Sequence, residues 1–258
     1  MNRVFQTNCA PGTPSRRPGY CALVCGWVLH STWLCTTLGL VALTASAAVH
    51  ADSYRGPDTG GAPVDFSLRL QDLDTRLDYP GTTYVATVRQ IGVTWEEILS
   101  PRLSGELLGG YEEMSQGGNP AFAGLAPSGY YAGIGLGGRL IDAMPFSVDV
   151  GVRYTYHNLS DDHSAQSLTV VWSQAQTHAV AALRLGGRLT AYAGAEYAVI
   201  DGEQRLAGSI NTTLTFHEAR RDGVFGGLAF NVDPGGRVGI ELRGGQSRGG
   251  GVFFSRRF

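Results

Sequence analysis

The chain has 258 residues, a formal charge of −2 at neutral pH and 37 glycines, about twice the usual ~7% share of glycine. Near-neutral charge leaves no basic footprint for nucleic acid, and glycines without a three-residue period exclude a collagen-like rod. Every basic side chain is arginine, which by itself points to no activity.

The first 51 residues read as a segment apart. Arg3, Arg16 and Arg17 precede an apolar stretch from Tyr20 to Ala48, closed by small residues ending at Ala51. A positive start, an apolar middle and a small-residue exit form the layout of a secretory signal peptide. All four cysteines (Cys9, Cys21, Cys25 and Cys35) fall inside it, so the mature chain is expected to be exported and cysteine-free. All 22 acidic residues lie beyond Ala51, while three of the 20 arginines precede it, so the mature balance is near −5. No later apolar run approaches the ~18 residues of a helical span.

Residues 52–63, "DSYRGPDTGGAP", read as a flexible tail of Gly, Pro and polar residues. From residue 64 onward the pattern is strict alternation. Val64, Phe66, Leu68 and Leu70 alternate with Asp65, Ser67 and Arg69. Val148, Val150, Val152, Tyr154 and Tyr156 alternate with Asp149, Gly151, Arg153 and His157. Period two over such lengths predicts strands. Short turn signals at 99–102, 142–145, 186–188 and 233–236 are expected to alternate with longer connections at 116–127, 159–166, 201–211 and 246–250; "DYPGT" at 78–82 is a short exception. Ten strands follow: 64–77, 82–97, 103–115, 127–141, 146–158, 167–185, 189–201, 212–232, 237–246 and 251–258, with eight or twelve as alternatives.

Alternating segments with short turns at one end and longer loops at the other describe a closed antiparallel transmembrane β-barrel. Lipid leaves no partner for an open sheet edge, so such a sheet must close. Tyr84, Trp95, Tyr111, Tyr130, Tyr154, Tyr156, Tyr197 and Phe230 are the expected interfacial aromatics. With apolar faces toward lipid, the lumen receives Arg69, Glu106, Arg139, Asp149, Arg153, Arg184, Glu196, Glu241 and Arg243. The mixture of signs predicts a charge-paired interior, and ten strands is too few for a wide pore.

"GIGLGG" at 133–138 matches a dinucleotide fingerprint, but no helix follows it, only the turn at 142–145. Gly133, Gly135 and Gly137 instead form a bare inward strip between Tyr131 and Arg139. His157, Asp161, Asp162, His163 and Ser164 cluster near one loop, with His217 and Arg221 expected to face the lumen nearby. Acid, imidazole and hydroxyl together are the materials of a hydrolase or a metal site, although no regular ligand spacing appears. No cofactor and no metal is expected.

The ending "GVFFSRRF", with the signal-like opening and the hairpin pattern, resembles the C-terminal signature of Gram-negative outer-membrane β-barrel proteins. The resemblance spans about residues 64–258. It implies that Phe254 and Phe258 act as an assembly signal read by the barrel-assembly machinery, with Val252 in step. Arg256 departs, standing where an apolar residue is commonest. The resemblance further implies an outer-membrane location, contact with membrane lipid and lipopolysaccharide, and a monomer. The expected role is a structural barrel or narrow channel. Alternatives are a hydrolase using the loop near 157–164, or a soluble secreted β-sandwich.

Overall fold

The computed structural model describes residues 64–163, 166–208 and 211–258; the expected signal segment 1–51, the tail 52–63 and Ser164 lie outside them. Eleven strands follow in order: β1 (Val64–Tyr79), β2 (Thr82–Ser100), β3 (Leu103–Gln116), β4 (Ser128–Ala143), β5 (Phe146–His163), β6 (Gln166–Leu185), β7 (Leu189–Ala207), β8 (Thr212–Glu218), β9 (Asp222–Asn231), β10 (Gly236–Gly245) and β11 (Ser247–Arg257). All form one antiparallel sheet. It closes where β1 pairs β11, from Asp65–Arg257 to Thr75–Ser247. A single closed sheet replaces the two packed layers of a sandwich.

Eleven segments make ten strands of wall. β8 and β9 both pair β7, and they are one strand interrupted at residues 219–221. At the interruption Ala198 N–H donates to Arg221 O, and the Glu218 carboxylate accepts from Ile200 N–H at 2.6 Å. A side chain thus substitutes for the missing main-chain partner of Ile200.

The wall narrows along its length. The β10–β11 hairpin turns at Gln246, and beyond it β8 pairs β1 directly through Leu77–Glu218 and Asp78–His217. The barrel is ten strands around at the end bearing Val64 and Phe258, and eight around at the opposite, loop end.

The outward face explains the fold class. Leu68, Leu70, Ile91, Val93, Leu107, Ile134, Ile240 and Val252 are all exposed on the outside. In water so large an apolar surface would drive association. In hydrocarbon it is the matching surface, and closure satisfies every strand's hydrogen bonds internally. Toward the loop end the outward residues of β1 become Asp72, Asp74, Arg76 and Asp78, and the inward ones become Leu73, Thr75, Leu77 and Tyr79. Polarity therefore inverts: polar inside and apolar outside within the belt, apolar inside and polar outside above it.

That inversion corrects the expected loops. The segments 159–166, 201–211 and 246–250 largely continue as strands, because their alternation persists with the faces exchanged. The connection between β3 and β4 remains a true loop, carrying a single 3-10 turn at Pro120–Phe122 capped by Asn119.

Candidate functional site: the lumen

The interior falls into three tiers. At the loop end Leu77, Ala86, Val88, Met114, Leu159, Leu168, Val170, Trp172, Ile200 and Phe216 form a buried apolar cluster across the lumen. The β3–β4 loop adds Phe122 and Leu125 from above. The loop is tied down by Asn119, which donates to Gln116 at 2.7 Å and Gln204 at 3.1 Å, and by Asp161, which accepts from Ala126 N–H at 2.7 Å. Phe216 is fully buried, its ring tilted by 36° against that of Tyr79 with centroids 5.2 Å apart.

Below this plug lies a belt of charge. Arg153 binds Glu106 through two hydrogen bonds, of 2.6 and 3.0 Å. Arg243 bridges Glu196 at 2.8 Å and Glu241 at 2.9 Å. Arg69 also reaches Glu241 at 2.8 Å, Tyr192 donates to Glu241 at 3.2 Å, and Gln176 donates to Glu196 at 2.6 Å. The guanidiniums of Arg69 and Arg243 further lie over the rings of Phe253 and Phe225. Each of these six charges has a partner of opposite sign, the condition for keeping ions out of water. The glycine strip makes the room: a Cβ on Gly135 would overlap the Glu106 side chain.

The third tier is the rim at the terminal end, where Arg139 meets Asp149 at 2.9 Å and Asp142 at 3.5 Å, and Arg257 meets Asp65 at 2.7 Å. Arg184 reaches Asp142 at 4.0 Å. Of the nine lumen candidates, Arg69, Glu106, Arg153, Glu196, Glu241 and Arg243 thus meet in the belt, while Arg139, Asp149 and Arg184 line the rim.

Sequence reasoning missed the belt's upper edge. Glu112, fully buried, accepts from His157 Nδ1 at 2.8 and 3.0 Å and from Gln90 at 2.6 Å; Gln71 hydrogen-bonds Gln90 in turn. His157 is sandwiched between Trp172 (centroids 4.2 Å apart, 9° between planes) and Tyr131 (5.6 Å, 20°). Parity from Arg153 through Thr155 to His157 was the available signal. It also removes His157 from the loop cluster: His163 lies six residues further along β5, about 20 Å at strand rise. His217 points outward, because Phe216 and Glu218 are the buried neighbours. Arg221, largely exposed, pairs with Glu218. Tyr84 likewise turns inward against the plug, leaving the other interfacial candidates on the outside. Among the described residues no group of three or more His, Asp and Glu side chains is arranged to hold a metal ion.

At the chain end, Phe258 N–H donates to Val64 O at 3.0 Å, closing the ring. Phe254 and Phe258 lie on the outward face, and the guanidinium of Arg256 turns toward Asp233 of the β9–β10 turn at 3.4 Å.

No protein-family model matches the sequence, and no curated protein matches it significantly. Among solved structures the fold is similar to the translocator domain of the autotransporter NalP from Neisseria meningitidis, at 13% identity and TM-score 0.45, over 90% of this chain and 97% of that one. It is similar also to the outer-membrane protease OmpT from Escherichia coli, at 9% identity and TM-score 0.44, over 80% and 97%. A third is the attachment invasion locus protein Ail of Yersinia pestis, at 10% identity and TM-score 0.34, over 75% and 98%.

Proposed function

We propose that the chain is a small integral outer-membrane barrel with a structural role, its termini toward the periplasm and its lumen closed to ions. The apolar cluster around Phe216 carries this reading. An ion on the barrel axis must cross that tier, where apolar side chains predominate and the buried amides of Gln116, Asn119 and Gln204 are hydrogen-bonded to one another. Beneath it the belt arginines and carboxylates are spent on one another, so no single-sign ring is left to select an ion. The apolar outer belt, the signal-like opening and the terminal Phe258 support the membrane placement.

The test is reconstitution of the purified barrel in a planar bilayer. No stable unit conductance is expected, and a reproducible one overturns the structural reading in favour of a narrow channel. Fractionation with heat-modifiable migration checks the placement; recovery in the soluble periplasmic fraction would refute it.

A further inference from the structure

On the outside of the wall a groove of about 500 Å³ crosses β9, β10 and β11. It spans two rows of outward side chains. Phe254, Val238 and Phe230 are cross-strand neighbours in the row nearer the terminal end, and Val252, Ile240 and Leu228 in the row above. All six are exposed, and every residue lining the groove is apolar. The volume falls within the ~300–1,000 Å³ of clefts that hold small molecules.

One step toward the terminal end the chemistry changes. Two residues beyond Phe254, about 7 Å along the strand, the outward side chain is Arg256, which pairs across the ladder with Gly236. Gly236 has no side chain to stand in the way, and the Arg256 guanidinium reaches Asp233 Oδ2 in the β9–β10 turn at 3.4 Å. One ion pair therefore stands at the foot of the apolar groove. It is loose: 3.4 Å exceeds the ~2.7–2.9 Å of a charge-assisted hydrogen bond, and the two side chains are 48% and 42% exposed. Asp233 Oδ1 accepts from Gly235 N–H and Gly236 N–H, which keeps the carboxylate ionised. The guanidinium and Oδ2 both have capacity left for a ligand.

We propose that the groove and this pair together hold one phospholipid with a zwitterionic, amine-bearing headgroup. An acyl chain lies against Val238 and Ile240, the phosphate accepts from Arg256, and the ammonium donates to Asp233 Oδ2. Charge complementarity selects the headgroup. A purely anionic one brings its charge beside Asp233 with nothing to offset it, and a quaternary ammonium has no N–H to donate. The groove opens onto the apolar belt and the pair stands at its edge, the order of chain and headgroup along a lipid. The inference rests on the membrane placement proposed above and adds which lipid is held and where. It also gives a task to Arg256, which stands where the assembly signature commonly has an apolar residue.

The experiment is native mass spectrometry of the folded barrel, released from detergent micelles after titration with phospholipids of identical chains and ethanolamine, choline or glycerol headgroups. One saturable ethanolamine-lipid adduct is expected, about tenfold tighter than either other lipid, the worth of one hydrogen bond to a charged group. Arg256→Gln and Asp233→Asn, both at exposed positions and checked for folding by heat-modifiable migration, are each expected to abolish that preference. Glycerophosphoethanolamine, the same headgroup without chains, is expected not to bind; binding as tight as the lipid would remove the groove from the site and refute the proposal. A tighter glycerol-lipid adduct would overturn it in favour of an anion site at Arg256. Equal retention of all three lipids, or a preference unchanged in both variants, would reduce the groove to ordinary lipid contact and refute it as well. Failure of the membrane placement shows separately, as recovery of the chain in the soluble fraction.

Discussion

The ring of Phe216 on β8 lies against the backbone of Gly202 on β7, where a Cβ would overlap it. That pairing seats the largest fully buried side chain of the plug. Gly202→Val is expected to displace the ring and destabilise the barrel by several kcal/mol, comparable with the ~3–5 kcal/mol for truncating a buried Phe to Ala. The unfolding midpoint in denaturant, compared with Phe216→Ala, checks this. A double variant costing no more than either single one is expected, since both remove the same contact.

Arg243 holds two carboxylates at once. Arg243→Ala leaves Glu196 without a cation and Glu241 with Arg69 alone in a space with little water, and a loss of about 3–5 kcal/mol is expected. Replacing the exposed Arg89, which pairs with Asp72 on the outer surface, is expected to cost under about 1 kcal/mol. The two variants compared in one denaturation series separate a buried network from a surface pair.

Asp233 accepts from Gly235 N–H at 2.8 Å and Gly236 N–H at 2.6 Å in the β9–β10 turn. Those amides hold its carboxyl below its ordinary value of 3.8. The sign follows: the turn gains stability above the unfolded pKa, and that gain is lost as pH falls through the lowered folded value. The Gly235 and Gly236 amide resonances are expected to titrate with a midpoint below 3.8, and Asp233→Asn to abolish the step.

Arg256 stands in an exposed position, and its only described partner is Asp233. Arg256→Leu is expected to change stability by less than about 1 kcal/mol. Deleting Phe258 removes both ring-closing hydrogen bonds with Val64, Phe258 N–H to Val64 O at 3.0 Å and Val64 N–H to Phe258 O at 3.4 Å. It is expected to impair assembly while export continues, measured as loss of the heat-modifiable form with an unchanged total of processed chain. Normal surface levels of the truncated chain would count against Phe258 as an address.

The transmembrane half was legible in the sequence because one rule governs it: from Asp149 to Arg153 and from Glu241 to Arg243, each second residue is charged or glycine and each intervening one apolar. The upper half obeys the opposite rule. Leu159 and Leu168 point inward while Ser160 and Asp161's neighbours turn toward water, so a reading anchored to lipid saw polar loops where strands continue. Partners were less legible than faces. Parity puts Arg153, Glu106 and His157 inside, but only register across β3, β4 and β5 brings Glu112 to His157 and Glu106 to Arg153. The interruption at 219–221 overlaps "RRDG" at 220–223, a turn signal of the twelve-strand alternative, and proved to be a step within one strand.

The direct pairing of β8 with β1 above the final hairpin has a mechanical consequence. The β1–β11 seam joins the first and last strands, and in a plain barrel it could part along its whole length. Here Leu77–Glu218 and Asp78–His217 clasp it at the loop end, so the seam behaves as a hinged wedge. Any sideways parting must begin at Val64 and Phe258 and widen toward that end, while the far end stays shut.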